Sequence, residues 1–238
     1  SEAAGRDPSE LAVARAHEMT RLLRRILELR LPVIAAIDGH VRAGGLGLVG
    51  ACDIAVAGNA STFALTEARI GVAPSIISLT LLPKMSARAA GRYFVTGEKF
   101  GAAEAADIGL ITVAADDVGA TVAELAAAIA QGSPQGLAAS KALTTAAVID
   151  DFELRAEKLT RESAQLFVSD EAREGMLAFL EKRPPRWVGR GPSAPPTSGR
   201  RSSFPTTRRC PSRSTPSPTT RTRSTSSSKG CAAGSARS

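Results

Sequence analysis

The chain has 238 residues, enough to bury one sizeable core with appendages, and 30 Lys and Arg against 23 Asp and Glu give it a formal charge of +7. That charge is unevenly held: from Pro184 onward there are 11 basic side chains and no acid, leaving the first 183 residues with 19 basic against 23 acidic. No stretch approaches the roughly 20 apolar residues of a membrane span, the first residues given lack the charged-then-apolar layout of a secretion signal, and three cysteines and two histidines lack metal-ligand spacing, so neither a zinc site nor a disulfide framework is expected and a reducing, cytoplasmic setting is.

Asp7-Pro8-Ser9-Glu10 reads as a helix start, with an acidic cap, proline at the first helical position and a glutamate placed to reach back. Met19, Leu22, Leu23 and Ile26 then recur at helical spacing until Leu31-Pro32 stops the helix. Two apolar β runs follow, Val33 to Ile37 and Asp53 to Ala57, separated by a glycine-rich turn and a short helix from about Gly45 to Ala51. Strand, helix and strand in that order imply α/β layering.

Beyond Pro74 the pattern is almost wholly helical. Helices are expected over Ser75 to Leu82, Ser86 to Val95, Gly101 to Ile108, Val118 to Gln131, Pro134 to Val148, Asp151 to Val168 and Ser169 to Lys182, with one further strand at Ile111 to Ala114. From Val188 to Ser238, Arg, Ser, Thr and Pro leave almost nothing to bury, so 188–238 is expected to be disordered. A basic Arg/Ser tail could bind RNA or an anionic surface through phosphate contacts. The preferred explanation is an out-of-frame read of a GC-rich gene, and no nucleic-acid or membrane partner is expected.

The glycine turn admits two readings. Gly45-Leu46-Gly47-Leu48-Val49-Gly50 matches a dinucleotide fingerprint, with Glu67 at a distance suited to a ribose. Its context is wrong, because Asp38 to Gly44 stand between the strand end and the first glycine. The second reading takes the larger constellation: Pro32 to His40, Ala43-Gly44-Gly45-Leu46-Gly47-Leu48, Ala51-Cys52-Asp53-Ile54-Ala55-Val56-Ala57, Phe63, Glu67, Ile70-Gly71 and Pro74. It continues through Leu81-Leu82-Pro83, Thr96-Gly97-Glu98, Ala102 to Leu110, Lys141, Glu174-Gly175-Met176 and Ala178 to Trp187.

Together these closely resemble the enoyl-CoA hydratase/isomerase (crotonase) family over residues 9 to 187, and the ending Glu181-Lys182-Arg183-Pro184-Pro185-Arg186-Trp187 looks most like its branched-chain methylglutaconyl-CoA hydratases. The resemblance implies a crotonase-like ββα spiral core over 1–187, followed within it by a helical region at about 134–187 that makes trimers or dimers of trimers. It implies acyl-CoA thioester substrates of fatty-acid or branched-chain catabolism, with no metal or redox cofactor. Family members begin with further β–α units, so this chain is expected to be incomplete at its N-terminus. That leaves open a catalytically inactive fragment acting as an oligomerising or binding module.

The resemblance also implies an oxyanion hole of backbone N–H groups that holds a thioester enolate, with Gly44 supplying one donor. Gly45 and Ser75 are expected beside the substrate, and Phe179 and Lys182 near the CoA adenine and phosphate, with a helix packing residue and an exposed lysine as the alternative. Family hydratases place two glutamates around one water; Glu67 falls on one position and Gly47, which cannot titrate, on the other. One carboxylate could shuttle a proton between carbons, as family isomerases do, or could hydrate alone if the N–H near Ser75 orients the water. Burial would raise the Glu67 pKa; the alternative is a surface carboxylate paired with Arg69. Isoleucines at 76 and 77 should narrow the acyl pocket. Asp38, Asp53 and His40 read as structural, and Arg42 as a solvated charge.

Overall fold

A computed structural model of the chain describes residues 8–189. The basic tail from 190 on, with the expectations placed on it, lies outside the described residues. The chain opens with α1 (Pro8–Glu28), whose Ala16, Leu23 and Leu27 fall on one buried face at helical spacing. Beyond the Pro32 stop come β1 (Ile34–Ile37), β2 (His40–Arg42), α2 (Gly44–Ala51), β3 (Ile54–Gly58) and β4 (Thr62–Ala64). A 3₁₀ turn at Glu67–Ile70, a short α3 (Ser78–Leu81) and α4 (Ala87–Thr96) follow, then β5 (Phe100–Gly101), α5 (Ala102–Asp107) and β6 (Val113–Ala115). Three helices close the described residues: α6 (Val118–Ile129), α7 (Pro134–Phe167) and α8 (Asp170–Leu180).

The strands form two three-stranded sheets, in the orders β1-β3-β6 and β2-β4-β5. Ile34 pairs with Ile54 and His40 with Thr62, both parallel, so the first two turns of chain, β1-β2 and β3-β4, each lay one strand in each sheet, with α2 returning the chain between them. This is the ββα spiral of the crotonase fold. β3 is buried from Ala55 to Gly58, and its unbroken apolar run Ile54-Ala55-Val56-Ala57 suits a parallel strand covered on both faces. The core gathers Leu23, Leu46, Leu65, Leu79, Phe63 and Phe152 from strands and helices alike.

Three differences from the sequence reading have physical causes. The strands β2, β4 and β5 are two or three residues long, too short for a period-2 pattern to emerge from the glycine turn and loops that hold them. Residues 75–77 are turns, and only Ser78–Leu81 is helical. The expected break between Val148 and Asp151 is absent, and α7 runs unbroken over 34 residues. Asp150 and Asp151 do not stop it, because Asp151 faces outward to pair with Arg155 one turn on while Val148 and Phe152 keep the buried stripe continuous.

Two contacts tie distant segments together. Lys141, 5% exposed on α7, donates to the Ile26 carbonyl in the last turn of α1 at 2.9 Å, to the Leu31 carbonyl beyond it at 3.1 Å and to Asp53 before β3. Gly71 closes the 3₁₀ turn at φ 78°, and a Cβ there would lie 2.6 Å from the Glu171 backbone of α8. A Cβ at Gly175 would lie 2.5 Å from the Ile70 backbone. Only the absence of side chains at both glycines lets α8 rest directly on that turn.

Candidate active site

The 3₁₀ turn that α8 supports begins at Glu67. Buried Leu65 precedes it, Gly71 reverses the chain after it, and the Val72 N–H donates back to the Glu67 carbonyl at 3.1 Å. The Glu67 side chain is thereby turned inward and is 7% exposed. Its Oε2 has no hydrogen-bond partner among the described residues. Burial pushes its pKa up from the ordinary glutamate value, offset in part by its own backbone N–H. A pair with Arg69 does not form, since that guanidinium donates to the Thr96 carbonyl at 2.9 Å instead.

Glu67 opens into a cavity of about 340 Å³. Ala12, Arg15, Ala16 and Met19 of α1 form one wall, Ser163 and Phe167 of α7 another, and Val72 to Ile77 a third. Ala43 and Gly44, at the start of α2, complete it. Gly44 is the first residue of that helix, so its N–H has no acceptor within the helix and carries part of the positive end of the dipole. Ala43 before it holds φ 48° and ψ −129°, a backbone state that L side chains avoid, and in doing so turns the chain from β2 into α2. The cavity therefore joins an unneutralised carboxyl to a backbone donor in mainly apolar walls. Such a pair can move a proton beside a carbonyl as negative charge develops on its oxygen.

Of the residues expected at the site, the fold brings Glu67, Gly44 and Ser75 to this one cavity. The Ser75 N–H is not free to orient a water: it donates to the Ala73 carbonyl at 2.8 Å. Gly45 is directed to β2, where a Cβ would meet Val41 Cγ1 at 3.2 Å. Phe179, 73% exposed, and Lys182 lie at the end of α8 and do not line the cavity. Arg42 is corrected from a solvated charge to a half-buried tie, donating to the Val41 and Thr62 carbonyls at 2.7 Å each and to Thr62 Oγ1 at 2.8 Å. His40 Nδ1 lies 2.9 Å from Thr62 Oγ1, and Asp53 accepts the Val33 N–H, so both are structural as read. No group of three or more metal-ligating side chains occurs among the described residues.

Sequence reasoning missed the α1 and α7 walls, because Ala12, Ala16 and Met19 carry the same spacing as any core-facing stripe. It also missed Ala43, since alanine at a positive φ leaves no mark in a sequence.

The family model for enoyl-CoA hydratase/isomerase matches residues 2–190. A "Probable enoyl-CoA hydratase" of Bacillus subtilis (strain 168) is 32% identical over 78% of this chain and 72% of its own length. A carnitinyl-CoA dehydratase of Proteus mirabilis is 33% identical over 71% of this chain and 67% of its own. Among solved structures, an enoyl-CoA hydratase from Mycobacterium avium superposes with a TM-score of 0.74 at 71% identity, covering 76% of this chain and 72% of that one.

Proposed function

The chain belongs to the enoyl-CoA hydratase/isomerase family, and from that premise we propose that it is a lyase that adds water across the α,β double bond of an acyl-CoA thioester, or removes it, with Glu67 as its one acid–base group. The observation that carries this reading is the buried, unpartnered Glu67 carboxyl sharing an apolar cavity with the Gly44 amide. In the hydration direction Glu67 takes a proton from water while the oxygen bonds to the β-carbon. The electron pair of the double bond moves onto the thioester carbonyl as an enolate, which the Gly44 N–H holds. Glu67 then gives that proton to the α-carbon, so water is added and the carboxylate is restored. One such backbone donor is worth about 3 kcal/mol in the transition state. The raised Glu67 pKa suits a group that must both take and give a proton.

A second reading, double-bond migration, is favoured by Gly47, which leaves a lone carboxylate to move a proton from one carbon of the substrate to another. The reactions proposed move only protons and water, so they call for no metal or redox cofactor. Self-association as a trimer or dimer of trimers is part of this reading, supported by Leu143 and Leu154 on the outer side of α7, each 82% exposed, and by exposed Phe179 and Leu180 on α8. No helix among the described residues is long and apolar enough to cross a membrane. With its thioester substrate the enzyme is proposed to serve fatty-acid or branched-chain acyl-CoA catabolism in the cytoplasm.

Assays on 2-enoyl-CoA and 3-enoyl-CoA thioesters, with Glu67→Gln as control, decide the matter. Water addition that the variant abolishes supports hydration, and migration alone supports the isomerase. Absence of both, in a folded protein, overturns the catalytic reading.

A further inference from the structure

Gly47 stands one helical turn beyond Gly44 on α2, so the two face the same way. A Cβ at position 47 would lie 2.5 Å from Ile77 Cγ2, 3.0 Å from Ile77 Cβ and 3.4 Å from Leu23 Cδ1. Ile77 is itself buried and lines the cavity that holds Glu67. Its branched side chain is therefore seated on the bare helix at Gly47, between α2 and the cavity. The exposed lining residues, Arg15, Ala43, Ala73 and Phe167, mark the open rim, whereas Ile77 is buried, with Gly47 and Leu23 buried behind it, and marks a closed end.

The nucleotide-bearing part of a CoA thioester is too large and too polar for an apolar cavity of about 340 Å³, and must leave by the rim. The acyl group is then directed to the closed end. Resting on the acyl-CoA reading above, we propose that Ile77, seated on Gly47, is the residue that sets the length of acyl group this enzyme accepts. The contact is reciprocal: a smaller side chain at 77 deepens the cavity toward α2, and any side chain at 47 must drive Ile77 into the cavity and shorten it. Close-packed interiors leave no third arrangement without movement of α2 or α3.

Calorimetric binding of saturated butyryl-, hexanoyl- and octanoyl-CoA to the full chain tests this without turnover. Each methylene newly accommodated is worth about fourfold in affinity. Ile77→Ala is expected to raise the octanoyl-to-butyryl affinity ratio by about tenfold or more. Ile77→Val should raise it by a smaller step, and Gly47→Ala should lower it. Should Gly47→Ala not fold, the graded Val and Ala series at 77 still carries the test. An Ile77→Ala variant that shifts all three ligands by the same factor overturns the proposal and leaves the acyl-CoA reading standing. A wild-type protein that binds none of the three overturns both.

Discussion

The Lys141 ammonium donates to Asp53 Oδ2 at 2.8 Å, and the same oxygen accepts the Val33 N–H at 2.7 Å. With the Ile26 and Leu31 carbonyls taking the remaining protons, every donor of this buried lysine is used. The ends of α1, β1 and β3 thus meet at one nitrogen carried by α7. Removing one member of a buried ion pair strands the other, so Lys141→Met is expected to cost about 3–5 kcal/mol of stability. Urea denaturation, comparing midpoints at unchanged slope, checks it.

Glu67→Gln is expected to lower turnover by about 10²–10⁴ fold, the usual contribution of a positioned acid–base group. Steady-state rates on an enoyl thioester measure this.

The same substitution has a pH signature in stability. Burial raises the carboxyl pKa in the folded chain, so between the unfolded and folded values the native state holds a proton that the unfolded state has released. Stability then falls as pH rises through that window. Relative to Glu67→Gln, the wild type should lose stability from about pH 4.5, the ordinary glutamate value, until the raised folded value is passed, and then level off. Denaturation curves of both proteins over a pH series decide the point: a constant difference would mean the carboxyl is not desolvated.

Ala43→Gly is expected to stabilise the chain by about 1 kcal/mol. Relief of an unfavourable φ is worth about 1–3 kcal/mol, and the greater freedom of glycine in the unfolded chain returns about 0.5–1 kcal/mol of it. The melting temperature should rise, whereas Ala43→Val should lower it, since a β-branched side chain tolerates φ 48° less well.

Gly175→Ala should reach the site from outside it. Its Cβ would fall 2.5 Å from the Ile70 backbone, so either α8 or the turn that begins at Glu67 must shift. Overpacking of this kind costs about 1–3 kcal/mol. On protein that remains folded, kcat is expected to fall by about tenfold or more, because small displacements of a reacting group are costly. Saturated acyl-CoA should still bind. Equal loss of binding and rate would instead indicate a collapsed cavity.

Legibility in the sequence followed the range of the signals. The run Val33 to Ile37, the Leu31-Pro32 stop and the segment Asp53 to Ala57 marked β1, the end of α1 and β3 within a residue or a few, because local periodicity and punctuation set them. The family constellation singled out Gly44 and Glu67, and the fold seats both at one cavity. What could not be read was tertiary. The burial of Glu67 depends on Gly71 and on α8 some hundred residues later. The seat of Ile77 on Gly47 depends on how α2 meets the loop before α3. Lys141 carried no sign of its carbonyl partners, which lie more than a hundred residues away in the chain. The join at Asp150-Asp151 misled because aspartate often ends or starts helices, and only the face it occupies shows that here it does neither.

The unbroken course of α7 has a mechanical consequence. At 1.5 Å per residue its 34 residues make a rod about 50 Å long. Near one end Lys141 anchors it in the core, and near the other Ser163 and Phe167 close the cavity. Leu143 and Leu154 stand bare along its outer side. A second chain packed on that outer side would bear on the same rod that forms one wall of the Glu67 cavity, so contact outside and fit inside would be linked through one element.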